Sequence, residues 1–273
     1  MRRRIFVQTL MAGSGSILIG GQESFGKVNN DLPIKITMIY NNIGIHSQLS
    51  SKWGLSLIVE NNKEALLFDT GGDPEVLSNN MQKIESNIQK ISKVVISHNH
   101  RDHVNGLDAI IDKSKITPDV YVPEYSLEDI QYNFRGANLI GVKEPLQIND
   151  FTWSTGQLTG EYDASDIHEQ AIIILYNDTI CVFTGCSHPG IVKIVQKTKS
   201  IFPDKSIKLV AGGFHMNQYS DQDVRQASEE LRKLQVQQIA PSHCTGDKAT
   251  QIFKDEWNEN FVDFNLQQNQ IQV

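Results

Sequence analysis

Thirteen residues constrain this chain more than any others: VVISHNHRDHVNG, Val94 to Gly106. An apolar run that suits a buried strand meets three histidines and an aspartate within the six positions His98 to His103. Neutral imidazole and carboxylate are preferred ligands of zinc and similar divalent ions, and a short extended turn aims residues two apart at one point. His98 and His100 can therefore share an ion. Adding Asp102 and His103 to the same ion would leave little room for donors from elsewhere, so the spacing points to two adjacent ions. The chain has eight histidines, and three of them within six positions do not suit a merely solvated polar loop.

Short apolar runs separated by turn residues recur along the chain. Residues 34–40, 55–60 and 64–70 read as strands. Residues 73–84 read as a helix, with Asp73 as its N-cap and Pro74 at the first helical position. Residues 92–97 form a further strand, after which Val104, Leu107, Ile110 and Ile111 fall on one helical face. The histidine cluster thus sits in a strand-to-helix turn. The second half repeats the alternation. Its strands are 170–176, 179–185 and 208–215, one helix begins near Ile191, and Val224, Ala227, Leu231 and Leu234 mark another. Residues 236–247 run from strand through turn to helix. Residues 124–165, with Tyr125, Tyr132, Phe134, Phe151 and Trp153 among polar neighbours, are expected to shape a substrate pocket or an edge rather than the core. The chain is therefore a sheet-rich α/β protein whose chemically loaded residues recur at strand ends, where open α/β folds place their sites.

The formal net charge of −7 and the lack of a basic block past the first few residues exclude a general nucleic-acid binder and favour a small-molecule substrate as partner. Residues 1–21 have the layout of a secretory signal, and Arg3-Arg4 followed by Ile5 and Phe6 resembles a twin-arginine signal. The apolar run there is too short and glycine-rich for a membrane span, so no stable span is expected in the mature form. Residues 22–33 read as a linker, and the expected location is periplasmic, after export. An odd set of cysteines, Cys181, Cys186 and Cys244, fits a protein folded and metal-loaded before export, with one incidental disulfide as the alternative.

The stretch SHNHRDHVNG is similar to the His-x-His-x-Asp-His motif of the metallo-β-lactamase-fold superfamily. LLFDTGG (66–72) resembles that superfamily's upstream strand and turn. TGCSHPGI (184–191), GGFHM (212–216) and SHCTG (242–246) resemble the branch of the dihydropterin/ribofuranosyl-aminobenzene-phosphate synthase-like proteins. The match runs in order from about residue 35 to 250. The resemblance implies a four-layer αββα sandwich over residues 34–273. It further implies that His98, His100 and His188 hold one ion, that Asp102, His103 and His243 hold the other, and that Asp69 braces the metal loop. Two divalent ions are expected, zinc first, with manganese or iron as alternatives.

Cys186 stands where the commoner superfamily pattern has a bridging aspartate. It can bridge as a thiolate or simply fill space. His168 competes with His188 as the third ligand of the first ion; His188 is preferred because CSH lies in a glycine-flanked turn. Trp53 stands where the branch tends to carry a histidine, and His46 has no motif support. His215, after two glycines, is a candidate to contact substrate, steady a developing oxyanion or move a proton, or else a satisfied core imidazole.

The first expectation for chemistry is hydrolysis of a small ester, phosphoester or lactone by a metal-bound hydroxide, with Asp102 orienting it and His215 assisting the leaving group. Two alternatives follow: a condensing transferase that joins a pterin to an aminobenzene-ribosyl phosphate, and a metal-holding binding protein without turnover.

Overall fold

The structure, a computed structural model, describes residues 33–44, 46, 48–84, 90–113, 117–134 and 136–273. The signal expected over residues 1–21 and all but Pro33 of the linker expected over residues 22–33 lie outside them. Among the described residues no helix is long and apolar enough to cross a membrane.

Two sheets carry the fold. The first begins with β1 (Lys35–Asn41), β2 (Leu55–Glu60) and β3 (Ala65–Phe68) as an antiparallel meander. It continues in parallel through β4 (Ile91–Val95), β5 (Asp119–Pro123) and β6 (Asn138–Val142), and β15 (Gln270–Gln272) closes it beside β1. The second contains β7 (Leu146–Gln147), β8 (Thr152–Ser154), β11 (Ile172–Tyr176) and β12 (Thr179–Thr184), each antiparallel to the next. It goes on in parallel to β13 (Ser206–Gly213) and β14 (Gln238–Ser242). A separate hairpin pairs β9 (Leu158–Tyr162) with β10 (Ser165–Glu169).

Strand periodicity explains the layering. Ile172 and Ile174 of β11 face a core shared by both sheets with Leu57, Phe68, Phe183 and Leu209. Ile173 and Leu175 face the opposite way. There they meet α5 (Ile191–Ile201), α6 (Asp221–Lys233) and α7 (Asp247–Trp257) through Ile194, Val224, Leu231 and Phe253. On the outer face of the first sheet, Ile58, Leu67 and Val94 pack with α1 (Pro74–Lys83), α2 (Arg101–Val104), α3 (Leu107–Lys113) and α4 (Leu127–Asn133). Helix, sheet, sheet, helix is the order of layers, as expected.

Two local expectations are corrected. Val104, Leu107 and Ile110 do share one core, but on two helices rather than one. A continuous helix would need the His103 carbonyl for its own next turn. That carbonyl instead accepts from the backbone N–H of Thr70 at 2.7 Å and from its hydroxyl at 2.9 Å, which stops α2 after one turn. Within residues 124–165, Phe151 is fully buried between the sheets and Phe134 packs under α4, whereas Tyr125 and Tyr132 are exposed. Phe151 lies just before the short β8, and its carbonyl accepts the Leu175 N–H of β11 at 2.8 Å, a pairing that alternation in the sequence does not reveal.

Candidate metal centre

All the chemically loaded turns leave the carboxyl ends of parallel strands: β3 and β4 in one sheet, β12, β13 and β14 in the other. The two sheets therefore present five turns to one rim of the sandwich.

The first loop is held by Asp69, just beyond β3 and fully buried. One carboxylate oxygen accepts the Ser97 backbone N–H at 2.6 Å. The other accepts the Ser97 hydroxyl at 2.7 Å and the His103 Nδ1–H at 2.7 Å. Because Ser97 gives its proton to Asp69, the His98 Nδ1, 2.8 Å away, donates to the Ser97 oxygen. Both rings thus turn their Nε2 lone pairs to the same side. His100 precedes α2, and its carbonyl accepts from the N–H groups of His103 and Val104 at 3.0 and 3.2 Å, which swings Asp102 and His103 back over the cluster.

The second loop, from Thr184 to His188, is held by Glu169, a residue whose role the sequence reading missed. Its buried carboxylate accepts from the N–H groups of Cys186, Ser187 and His188 at 2.9, 2.8 and 2.8 Å and from the Thr184 hydroxyl at 3.1 Å. Asn42 was missed as well. Its side-chain oxygen accepts the His243 Nδ1–H at 2.6 Å, leaving that ring's Nε2 free. A signal existed for Glu169: in β10 it alternates with Ile167, so it shares the inward face.

The structure brings His98, His100 and His188 together, their donor atoms within 4.8 Å of one another, and does the same for Asp102, His103 and His243. In the second set Asp102 Oδ2 lies 3.5 Å from His103 Nε2 and 3.3 Å from His243 Nε2, and the two Nε2 atoms are 3.2 Å apart. Tetrahedral donors at zinc–nitrogen distance stand about 3.3 Å from one another, so this set matches the edges of a divalent-metal polyhedron. In the first set His98 Nε2 and both nitrogens of His188 are buried without hydrogen-bond partners among the described residues, an arrangement that a cation would satisfy.

Cys186 Sγ lies 3.2 Å from His103 Nε2 and groups with His98 and His103, hence between the two sets. All three cysteines are free thiols, so the disulfide alternative is not realised. The His215 ring lies 4.4 Å from that of His188, and its Nδ1 has no partner. His168 is elsewhere: it meets the Tyr125 ring at 4.2 Å and the Thr159 hydroxyl at 3.2 Å. His46 accepts two backbone N–H groups of its own turn.

Electrostatics divides the cluster. Burial and neighbouring imidazoles push His98 well below its ordinary value and His188 down to about 3; burial also lowers His100. These three offer free lone pairs at neutral pH. His103 is the opposite: against burial, Asp69 and Asp102 hold it up to about 10. Burial works against ionised Asp102 too, but hydrogen bonding with His103 and His243 keeps it well below the usual carboxylate range. With both Nδ1 atoms committed as donors, a cation belongs between the His103 and His243 Nε2 atoms. In the metal-free chain it is the proton that His103 keeps, which a metal held there would displace. Burial raises the Cys186 thiol well above its ordinary value, so it would ionise only on a metal.

Comparison with known proteins agrees with this architecture. A family model described as anti-Pycsar protein Apyc1 matches residues 43–152, which include the first loop. The 7,8-dihydropterin-6-methyl-4-(β-D-ribofuranosyl)-aminobenzene-5′-phosphate synthase of Methanocaldococcus jannaschii is 28% identical, over 87% of this chain and 95% of the synthase. Among solved structures, Tm1679, described as a metal-dependent hydrolase of the β-lactamase superfamily, superposes with a TM-score of 0.71 at 24% identity, covering 88% of this chain and 98% of its own. The metallo-β-lactamase fold protein YhfI of Bacillus subtilis gives 0.62 at 18% identity, over 89% and 100%. The chain has the metallo-β-lactamase fold. Fold and synthase relative together support an enzyme with a divalent-metal site.

The synthase relative overturns the first expectation, hydrolysis of an ester, phosphoester or lactone, and backs the condensing transferase. The physical reason is that a fold does not fix the reaction run on it, so a rim of this kind does not require water to be the nucleophile.

Proposed function

We propose that the chain is a metal-dependent condensing enzyme that joins a dihydropterin-6-methyl unit to a ribofuranosyl-aminobenzene 5′-phosphate. The observation that carries this reading is the likeness to the M. jannaschii synthase, which spans nearly the full length of both chains. His98, His100 and His188 would hold one divalent ion and Asp102, His103 and His243 the other, with the Cys186 thiol between them; zinc fits this nitrogen, oxygen and sulfur donor set, and manganese or iron are the alternatives. Bound there, the ions would supply positive charge to the oxygens of the group that leaves the pterin carbon.

The chain's own residues do the rest. Asp69 and Glu169 fix the two loops so that the donors do not rearrange as charge builds. His215, beside His188, faces the same rim. Hydrogen bonding with Cys244 raises its pKa against burial, which lets it give a proton to the departing oxygen. The partners are small molecules.

The test incubates the metal-replete full chain with 6-hydroxymethyl-dihydropterin diphosphate and ribofuranosyl-aminobenzene 5′-phosphate and seeks the coupled product by mass. Product is expected, with a loss of about 100-fold or more on chelation or in Asp102→Ala. The resemblance of Arg3-Arg4-Ile5-Phe6 to a twin-arginine signal predicts export, which would part the chain from cytoplasmic pterin phosphates. Cell fractionation is therefore the second arm. Condensing activity in the cytoplasmic fraction supports the proposal; a chain found only in the periplasm and inert in the assay overturns it.

A further inference from the structure

Two half-exposed aromatic rings stand at opposite ends of the cluster. Trp53, 51% exposed, lies with its ring 4.9 Å from His243, over the Asp102–His103–His243 set. Tyr162, 41% exposed, lies 4.7 Å from His100, 5.2 Å from His188 and 5.8 Å from His215, over the other set.

Neither ring is a loose surface side chain, because each rides on backbone pressed against a donor residue. Next to Trp53, a Cβ at Gly54 would fall 2.4 Å from the Asp102 carbonyl oxygen, and the φ of +135° there also disfavours a side chain. Two residues before Tyr162, on the same face of β9, a Cβ at Gly160 would fall 2.3 Å from the His188 carbonyl carbon. Glycine at each place lets the segment touch the loop it overhangs. The backbone that carries each ring is set against the donor loop, and each ring keeps part of its surface to solvent, though burying such rings is normally favourable. Partly exposed aromatic rings beside a polar cluster suit flat rings whose charged groups reach the cluster.

We propose that Trp53 and Tyr162 are the two walls of a slot for flat aromatic rings, Trp53 stacking on a fused bicyclic ring and Tyr162 on a single ring. The assignment follows size, since the indole offers the larger face. This inference rests on the condensing reading for the identity of the two rings. It assigns the pterin to the Asp102–His103–His243 end and the aminobenzene to the His100–His188–His215 end.

The test is calorimetric titration of the metal-replete full chain with pterin-6-carboxylate and with 4-aminobenzoate, each a flat ring bearing one carboxylate. Stacking of a heterocycle on an aromatic side chain makes a contribution that corresponds to roughly 5- to 150-fold in Kd. Trp53→Ala is expected to weaken pterin-6-carboxylate about tenfold or more and to leave 4-aminobenzoate within about twofold, with the converse for Tyr162→Ala. Trp53→Phe and Tyr162→Phe should recover most of each loss, and metal content equal to the parent's certifies that the variants are folded. A parent that binds neither probe at millimolar concentration, or alanine variants that bind both as the parent does, overturns the proposal. Ring binding that depends on the walls in a chain without condensing activity sinks the condensing reading alone. Condensing activity with binding that ignores the walls sinks this inference alone.

Discussion

His188 and His103 sit in one cluster yet hold protons in opposite ways, and their partners decide it. Burial, with His215, His100 and His103 nearby, outweighs the opposing charge of Asp102 and holds His188 at about 3, against 6.5 in an unfolded chain. Between those values the unfolded chain binds a proton that the folded chain refuses, so acidification favours unfolding. Buried His98 acts in the same direction. His103, held at about 10 mainly by Asp69 and Asp102, contributes stability that is complete below 6.5 and is lost as pH rises through 10. Metal-stripped protein is therefore expected to melt highest near neutrality, with Tm falling as pH drops from 6.5 towards 3 and again as it rises towards 10. Thermal melts in chelator across that range check this. A Tm that climbs below pH 6.5 would show that these imidazoles are not held as the geometry implies.

At the scale of elements, the cluster depends on two carboxylates, each at or just beyond a strand end. Asp69 after β3 organises the first loop, and Glu169 at the end of β10 organises the second. Removing Glu169 leaves three buried N–H groups unpaired, and each such group costs about 1–3 kcal/mol. Glu169→Ala is expected to lose about 3 kcal/mol or more in urea unfolding and to bind less metal per chain by elemental analysis. Glu169→Gln keeps one acceptor oxygen and should fall between. Parent-like stability and metal content in the alanine variant would mean that the loop holds its own shape. The first brace was legible through the resemblance of LLFDTGG to the superfamily's upstream strand and turn. The second was not, because β10 is polar on one side and its acid lies beside His168, a histidine that draws attention but faces elsewhere.

Over the whole molecule, the cluster exists only because two sheets pack face to face and so bring their rims side by side. Asp69, His98, His100, Asp102 and His103 come from turns of the first sheet, and Cys186, His188, His215 and His243 from turns of the second. The apolar layer between the sheets keeps these halves in register. Phe183 is fully buried in that layer, three residues before Cys186. Phe183→Ala is expected to cost about 3–5 kcal/mol by denaturant unfolding. It should also reduce metal affinity, since one half of the cluster then moves against the other. Unchanged metal affinity at lowered stability would show that the loops hold the site without the sheets' register.

The residues by themselves determined a sheet-rich α/β chain and the crowding of His98, His100, Asp102 and His103 in the first loop, while the four-layer order and the grouping of His188 and His243 with them rested on the resemblance to the superfamily. The former follow from local facts: periods of two along the strands, an Asp-Pro helix start, and imidazoles and carboxylate crowded where a strand ends. Only the tertiary structure decided which residues brace and border the cluster. His188 joins His98 and His100 while His168 does not, Glu169 and Asn42 orient loops far from them in sequence, and Trp53 and Tyr162 stand at the two ends. The physical reason is range. Periodicity and turn chemistry act over a few residues, whereas a buried carboxylate, an amide or a ring takes its role from whichever strand end packing brings within about 3–5 Å.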